Sequence, residues 1–438
     1  MRQTRIVALR RARTRVDALV ALGGAALVVL VAHRWGETLL DRGIDIKLHA
    51  SPLFGAPVTR ANAGTTLDVA VAAGLGFALP IAAERLPWRP LLALAFASTA
   101  SWAVALNSND GTRGLLRGVD NRHDYLAGVE LVSSPLEFLR EFTGQLSRYP
   151  THVRSHPPGF VLLLAAFDRW GLPGPWPVAA LCVLGGATAV VAVLTAVRDV
   201  VDERAARAAM PFLVVSPLAI WIASSADAFF AGVAAVAVAL LVSALTRPGA
   251  RAGTAELGGI VLGCTFMLSY GLVLVAAVPA VVALATRRVA PLLRAGAGVV
   301  LVLAAFSAAG FNWFAGLHAT RSDFYAGVGG VRPHSFALVA NTAALAIAVG
   351  PAVVVGLVRL RDARTWSLVG GALLAVAVAT ATGLSRTEVE RIWLAFAIWP
   401  AVAGAAAPLG NRASTVRTYL VAQAAFAIGV QTVVRTGW

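Results

Sequence analysis

The residues with the clearest chemical potential lie in two polar segments, 120–126 and 149–159, which interrupt an otherwise apolar chain. These segments contain His123, His152 and His156, three of the seven histidines. Carboxylates and arginines occur within and between them: Asp120, Asp124, Glu130, Glu137, Glu141, Arg122, Arg140, Arg148 and Arg154. A carboxylate or an imidazole can act as a general base, and arginine is suited to binding phosphate. This set of side chains therefore indicates that the chemistry of the protein resides in these segments.

The chain that holds these segments is dominated by apolar residues. Of its 438 residues, 58% are hydrophobic and 13% are charged, whereas soluble domains carry about 25% charged residues. Apolar runs as long as a membrane-spanning helix recur from residue 17 to residue 433. Within lipid, a helix satisfies its own backbone hydrogen bonds. We therefore predict an all-α polytopic membrane protein, with a single integral membrane domain over 1–438 and no soluble domain.

The apolar runs predict about 12–13 spans. The first, 17–33, is expected to be retained, because no convincing cleavage site for a signal peptidase follows it. The run 255–286 is too long for one helix and is predicted to form two short spans that meet at 269–271. The other predicted spans are 66–83, 90–106, 177–197, 208–224, one ending near 246, 292–310, one ending at 361, one ending near 385, one starting at 392, and 418–433.

Charge sets the expected orientation. The net charge is +15, Lys47 is the only lysine, and six arginines precede residue 16. Because arginines cluster in the short connections between spans, the positive-inside rule places those connections and the N-terminus in the cytoplasm. The same rule accounts for the basic balance, so nucleic acid is not an expected partner. The protein is expected in the cytoplasmic membrane, with residues 107–157 outside and a second large outer loop over 311–334.

The predicted outer loop, 107–176, contains two short helical segments. Segment 135–148 begins with a capping box at Ser134 and Glu137 and has Pro135 at its first helical position. It is amphipathic and too short to span, so we expect it to lie in the membrane interface. Packing of its apolar face on another part of the protein is the alternative. Segment 157–170 is apolar, is also too short to cross, and is predicted to be a half-inserted helix.

Four sequence elements, in this order along the chain, resemble the GT-C superfamily of membrane glycosyltransferases. They are His-Asp-Tyr-Leu at 123–126, His-Pro-Pro-Gly at 156–159, Asp227 after an outward span, and Glu-Val-Glu-Arg-Ile-Trp at 388–393. The last element is similar to a motif of actinobacterial members. The resemblance covers about 107–270 well. Two spans instead of one precede the helix that leads into the motif loop, His123-Asp124 replaces an Asp-Glu pair, and a large C-terminal soluble domain is lacking.

The resemblance, which is to members such as protein O-mannosyltransferases and aminoarabinose transferases, implies a GT-C-like helical bundle and an inverting transfer. The donor would be a polyprenyl-phosphate sugar, and the acceptor a hydroxyl of a cell-envelope glycan, lipid or protein. The reaction would occur at the outer face of the cytoplasmic membrane. The lipid-linked donor is then a substrate, no cofactor is implied, and a divalent metal is left open.

The resemblance also suggests roles for individual residues. Asp124 would be the general base, although Asp120, Asp41 or Asp45 could hold that role. Alternatively, Asp124 could simply pair with Arg122. The other expected catalytic residues are His123 and His156, the expected phosphate-binding residues are Arg391, Arg154 and Arg122, and the expected supporting residues are Tyr125, His152, Asp227 and Glu388.

Less specific interpretations exist for several of these residues. Arg391 could pair with Glu388 or Glu390, and His156 could cap the turn at Pro157 and Pro158. His152 and His156 have the spacing of metal ligands, but the two prolines disfavour the continuous helix that would align them.

A different class of function is a secondary transporter for a small solute or lipid, and a third is a non-catalytic scaffold or lipid-binding protein. A transporter is expected to show internal repeats and ionisable residues near the bilayer midplane. We find no repeat, and the charged residues gather at the ends of the spans. A scaffold would not need histidines and carboxylates concentrated in one loop.

Overall fold

The computed structural model describes residues 2–223, 225–247, 249, 251–383, 385–408 and 413–437, with side chains from Val16 onward. Its α-helices are Arg2–Asp41, Ala63–Arg85, Trp88–Asn107, Thr112–Leu116, Pro135–Glu141, Thr151–Arg154, Gly159–Arg169, Pro175–Val200, Glu203–Val214, Ala226–Thr246, Thr254–Phe266, Ala277–Thr286, Ala290–Ala308, Trp313–Ala326, Val328–Val331, His334–Val349, Pro351–Arg359, Ala363–Ala381, Val389–Ile392, Leu394–Ala397 and Ala413–Val433. The 3₁₀ helices are Ser108–Asp110, Tyr125–Leu131, Phe142–Arg148, Pro217–Trp221, Tyr270–Ala276 and Pro400–Ala406. Two short strands, Gly55–Pro57 and Val434–Thr436, pair antiparallel with Gly55 opposite Thr436.

The all-helical polytopic class is confirmed. Within the described residues, seven helices are long and apolar enough to cross a membrane, or eight if a bent pair counts as one span. The seven are Val16–Asp41, Ala63–Arg85, Trp88–Asp110, Pro175–Val200, Ala226–Thr246, Ala290–Ala308 and Ala363–Ala381. Three shorter apolar helices accompany them: Thr254–Phe266, Tyr270–Thr286 and Leu394–Ala406. The number of full-length spans is therefore smaller than the 12 or 13 expected from the apolar runs.

Helix breaks account for most of the difference in number. The run 334–359 is bent by 100° between His334–Val349 and Pro351–Arg359, at a glycine with a positive φ followed by a proline. The segment predicted as 208–224 forms Glu203–Val214 and Pro217–Trp221; Ser224 lies outside the described residues. The segment after 392 divides into short helices. The predicted division at 269–271 is confirmed, since helix Thr254–Phe266 ends just before it.

Two long helices at the centre of the bundle, Pro175–Val200 and Ala226–Thr246, pack closely through small residues. A Cβ at Gly232 would lie 2.4 Å from the carbonyl oxygen of Gly185, and a Cβ at Gly185 would lie 2.4 Å from Cα of Phe229. Only glycine permits this approach, which is a usual way for helices to associate in membranes. The pair holds the start of helix Ala226–Thr246, and with it Asp227, in a fixed position.

The segment 135–148 differs from the prediction. It is an α-helix only over Pro135–Glu141 and continues as the 3₁₀ helix Phe142–Arg148. Ser134 makes no side-chain capping hydrogen bond. Its apolar face is buried in the protein rather than presented to lipid: Phe142 is 0% exposed and its ring lies 5.6 Å from that of Phe311. The face that was expected to contact lipid contacts the second predicted outer loop.

Cysteine labelling can test the predicted orientation. After replacement of the exposed Cys264 by serine, single cysteines at Ser133 and Ala205 should react with a membrane-impermeant maleimide from opposite sides of sealed vesicles. The expectation follows from the basic connections, which the positive-inside rule places in the cytoplasm. Reaction of both cysteines from the same side would contradict the orientation.

Candidate functional site

Four charged or ionisable side chains from distant parts of the chain form a buried chain of hydrogen bonds. Nδ1 of His152 lies 2.7 Å from Oδ2 of Asp124, and Nε2 of His152 lies 3.2 Å from Nη2 of Arg391. Nη1 of Arg391 donates to Oδ2 of Asp227 over 2.5 Å. Each of the four residues is at most 5% exposed. Buried charges are retained where such partners compensate them.

The hydrogen bonds determine the tautomer of His152. A guanidinium only donates, so Nε2 must accept from Arg391 and the ring proton must reside on Nδ1, where it is donated to Asp124. The other oxygen of Asp124 accepts the backbone N–H of Tyr125 over 2.7 Å. Both carboxylate oxygens are therefore engaged, and Asp124 acts on its surroundings through His152.

Short helices and turns position these side chains. Asp124 is the N-cap of the 3₁₀ helix Tyr125–Leu131, and His152 belongs to helix Thr151–Arg154. The backbone N–H of His152 donates to the carbonyl of His123 over 2.9 Å, which joins the two polar segments. Arg391 belongs to helix Val389–Ile392. The residue before this helix, Glu388, has a left-handed backbone conformation. One sharp turn thus directs the arginine toward the loop.

Arg332 and Glu388 extend this network. Nη2 of Arg332 donates to Oε1 of Glu388 over 2.8 Å, and Oε2 of Glu388 lies 3.8 Å from Nη2 of Arg391. Nε of Arg332 donates to the carbonyl of Ile46 over 2.9 Å. Glu388 is therefore shared by two guanidinium groups, and Asp227 is the second carboxylate that compensates Arg391.

Tyr125 forms an aromatic floor beneath the histidines. Its ring centroid lies 5.8 Å from that of His152, 5.5 Å from that of His156 and 4.9 Å from that of Phe160. Burial raises the pKa of the Tyr125 hydroxyl well above its usual value, so the group stays protonated. This apolar floor limits the mobility of both imidazoles.

His156 is a neutral imidazole with one ring nitrogen available. Its Nδ1 lies 2.9 Å from the carbonyl oxygen of His152, so Nδ1 carries the proton and Nε2 carries a lone pair. Within the described residues, no side chain or backbone group is hydrogen-bonded to Nε2. Burial lowers the pKa of His156 to about 4. The ring is therefore uncharged at neutral pH and is a weaker base than a solvent-exposed histidine.

A cavity of 210 Å³ with many polar residues in its wall, here named the polar cavity, opens against this network. Its lining includes His152, His156, Arg332, Glu388 and Arg391, together with residues of the segments 269–271, 317–328 and 382–387. It combines imidazole nitrogens, a shared carboxylate and fixed positive charge in a small, partly enclosed space. Such a cavity can bind an anion and accept a proton beside it.

The structure brings seven of the predicted site residues together at the cavity and leaves three away from it. His156, Arg391, His152 and Glu388 line the cavity, and Asp124, Tyr125 and Asp227 contact those residues from behind. His123, Arg122 and Arg154 do not line it. Arg122 and His123 are exposed and contact each other, and Arg154 pairs with Asp323 over 3.3 Å.

The expected ion pair of Asp124 with Arg122 is absent from the described residues, since the partner of Asp124 is His152. The expected pair of Arg391 with Glu388 is present at 3.8 Å, but Asp227 is the closer partner of Arg391. Asp120, Asp41 and Asp45, the other candidate bases, are exposed and do not line the cavity. The N-cap of helix Ala226–Thr246 is Ser225, and its hydroxyl donates to Asp227 over 3.0 Å.

Sequence reasoning missed Arg332 and Glu390. Arg332 is 2% exposed, and its position in a predicted outer loop between two apolar runs was the one available signal. Glu390 accepts the backbone N–H of Phe54 over 2.8 Å, and burial raises its pKa to about 7. This hydrogen bond holds Phe54, in the segment that follows the first helix, against Glu390, the neighbour of Arg391.

The residues present do not form an obvious metal site. In the part of the chain that the structure describes, no group of three or more histidine, cysteine or acidic side chains has the arrangement to hold a metal ion. Both ring nitrogens of His152 are within hydrogen-bonding distance of Asp124 and Arg391. His152 and His156 therefore do not offer a free ring nitrogen each to a metal ion.

A second cavity is apolar and is linked to the same region by the segment 46–54. It is a groove of 590 Å³ between the first helix, the bend at Pro351 and the last helix. Ser51, Pro52 and Leu53 form part of its wall. The neighbouring Phe54 is bonded to Glu390, and Ile46 to Arg332. The segment 46–54 thus contacts both the groove and the residues around the polar cavity.

Comparison of the chain with family models, with curated proteins and with solved structures gave no match.

Proposed function

We propose that the protein is an inverting glycosyltransferase of the cytoplasmic membrane that moves a sugar from a polyprenyl phosphate to an acceptor hydroxyl. The observation that supports it best is convergence. The elements that carry the resemblance to GT-C enzymes come together here. His156 and Arg391 line the polar cavity, and Asp124 and Asp227 are bonded to its lining residues from behind. Packing of the same helices without a shared site would not require these elements to meet.

The charge of the cavity suits the donor. A polyprenyl-phosphate sugar is a phosphodiester with one negative charge, and its leaving group gains charge as the bond to the sugar breaks. Arg391 and Arg332 share one carboxylate, Glu388, on the side that faces the cavity. Guanidinium groups held in advance at the leaving phosphate stabilise the charge that develops there.

The available base is His156. The acceptor oxygen would attack the anomeric carbon while the bond from that carbon to the phosphate oxygen breaks. The hydroxyl proton would pass to Nε2 of His156, and polyprenyl phosphate would leave with the bonding electron pair. Asp124 has both oxygens engaged, so its role in the proposal changes from base to positioning residue. It orients His152, which in turn orients Arg391.

The apolar groove supports a lipid-linked donor. Its lining is almost entirely apolar, and the segment 46–54 that borders it also contacts Arg332. A ligand with an anionic head and a long hydrocarbon chain could therefore place its head near Arg391 and its chain along the groove. In this orientation the cavity would lie on the outer face of the membrane.

Purified protein in vesicles, supplied with a radiolabelled polyprenyl-phosphate sugar and an envelope extract, provides the direct test. The proposal requires label in a new glycosidic product. Accumulation of labelled solute inside the vesicles without a new product would favour the transporter alternative.

Replacement of Arg391 by lysine tests the phosphate role. Lysine replaces the two separated Nη groups, which are bonded to Asp227 and His152, by a single point of charge. We therefore expect the KM for the donor to rise about ten- to hundredfold, the range for one charge-assisted hydrogen bond. The KM for the acceptor should stay within a factor of about three, well below the effect of one such bond. Arg154→Lys is the matched control, since Arg154 does not line the cavity. An unchanged donor KM in Arg391→Lys would remove Arg391 from the site.

A further inference from the structure

A group of polar atoms beside the cavity is not used by the proposed transfer. A Cβ built on Gly383 would lie 2.9 Å from the hydroxyl of Tyr325, 3.5 Å from Nδ1 of His334 and 3.6 Å from Nε of Arg386. Three polar groups from three separate segments thus surround one point. The Tyr325 hydroxyl donates its proton to the carbonyl of Gly383 over 3.1 Å, so the donors available to a ligand come from the other groups. We call Tyr325, His334, Gly383 and Arg386 the Gly383 niche.

Two nitrogens of the niche are buried without partners. Within the described residues, neither Nδ1 of His334 nor Nε of Arg386 makes a hydrogen bond, although both atoms are inaccessible to solvent. Leaving a buried polar group unpaired costs about 1–3 kcal/mol, and more for a charged group. Such a group can be completed by water, an ion or a ligand, and a guanidinium N–H can be completed only by an acceptor.

Surrounding contacts hold the niche in place and add positive charge. Nη1 of Arg386 donates to the carbonyls of Gly329 and Arg332 over 2.7 and 3.0 Å. The ring of Tyr325 lies under Arg386 at 4.8 Å and beside the exposed Arg321 at 5.6 Å. No carboxylate pairs with Arg386 or Arg321 among the described residues. The niche is therefore a preorganised site with uncompensated positive charge.

Gly383 keeps the niche open. Its φ is +67°, a conformation that L side chains rarely adopt, and any side chain there would occupy the space between the three polar atoms. Tyr325, Gly383 and Arg386 also line the polar cavity. An anionic group of a molecule in that cavity can therefore reach the niche.

We infer that the Gly383 niche binds a second anionic group, a phosphate or carboxylate carried by the acceptor. The donor has a single phosphate, which the proposed function assigns to Arg391 and Arg332. The positive charge at Arg386 and Arg321 is then left for the other substrate. The existence of the anion site depends only on the geometry described above, whereas its assignment to the acceptor rests on the proposed function.

Equilibrium dialysis with radiolabelled inorganic phosphate tests the site without any transfer. The wild-type protein should bind phosphate, and Arg386→Gln should weaken this binding about ten- to hundredfold, the effect of one charge-assisted hydrogen bond. Tyr325→Phe, which keeps the ring, should weaken it less, and Arg386→Lys should retain part of it. Arg113→Gln removes an exposed arginine and should have no effect. Phosphate binding that is absent in the wild type, or equal in Arg386→Gln, would overturn the inference.

A transfer assay distinguishes the two substrates. Arg386→Gln should raise the KM for an anionic acceptor and leave the donor KM unchanged, the reverse of Arg391→Lys. A rise in the donor KM alone would overturn the assignment to the acceptor. If no transfer occurs but Arg386→Gln still loses phosphate, the proposed function fails while the niche stands as an anion site.

Discussion

Asp124→Asn should lower turnover by about 10²–10³-fold, the usual cost of losing one preorganised electrostatic group, while the protein remains folded and binds donor lipid. The reason lies in the hydrogen bonds of the carboxylate. One oxygen accepts the N–H of Tyr125, so the asparagine oxygen must take that place and its NH₂ must face Nδ1 of His152. His152 would then carry its proton on Nε2, opposite Arg391, and two donors would confront each other.

The measurement is kcat and donor binding for the variant, together with a double-mutant cycle with His152→Ala. If Asp124 acts through His152, the two substitutions together should cost little more than either one. Asp120→Asn, Asp41→Asn and Asp45→Asn are controls, because all three carboxylates are exposed. Near-normal turnover of Asp124→Asn, together with a collapse in one of the controls, would move the active site elsewhere.

Asp227→Asn should lower the free energy of unfolding by about 3–5 kcal/mol, the cost of leaving one member of a buried ion pair uncompensated. Asp227 and Arg391 are both about 5% exposed, and their bond joins the start of helix Ala226–Thr246 to the turn that follows Glu388. In the asparagine variant the guanidinium keeps its charge but loses its closest carboxylate. Reversible unfolding in mixed detergent micelles would measure the change.

The double variant Asp227→Asn with Arg391→Gln should recover most of the lost stability, because both charges are gone, but it should not recover transfer. The double variant would thereby distinguish the contribution of the ion pair to stability from its contribution to transfer. Asp323→Asn is the matched control: its partner Arg154 and Asp323 itself are each about one third exposed, and such pairs contribute about 0–1 kcal/mol. Equal losses in Asp227→Asn and Asp323→Asn would contradict the account of the buried pair.

Several features of this protein follow from local sequence. Apolar runs of spanning length predict a polytopic helical protein, because backbone groups within lipid must bond within their own helix. The polar triplet at 269–271 predicts a break, and the structure has one there. Pro135 and Pro175 stand at the first turn of helices, where the missing N–H of proline has no cost. Each of these properties depends on neighbours within a few residues.

The number of spans was less predictable. The run 334–359 reads as one apolar segment, yet the chain turns by 100° at Gly350. A Cβ there would lie 2.7 Å from Nε2 of Gln423 and 2.8 Å from Cγ of Pro217. The bend therefore accommodates two other segments, both of them distant from Gly350 in the sequence. Apolar composition indicates that a segment avoids water but does not determine its direction through the bundle.

The segment 135–148 illustrates the same limit. Its amphipathic pattern correctly predicts one buried apolar face, but lipid and protein interior are both apolar environments. The pattern alone therefore could not decide between them. The structure buries Phe142 against Phe311, a residue of the second predicted outer loop. Which surface covers an apolar face depends on where a distant segment packs.

The residue types of the candidate site could be listed from the sequence, but their partners could not. Asp124 and His152 are 28 positions apart, and Asp227 and Arg391 are 164 apart. The spacing of the motifs does not show that Asp124 lies behind His152, that Arg122 and Arg154 lie away from the cavity, or that Arg332 lines it. Those outcomes depend on helix packing, because a buried charge adopts whichever partner the packed helices bring within hydrogen-bonding distance.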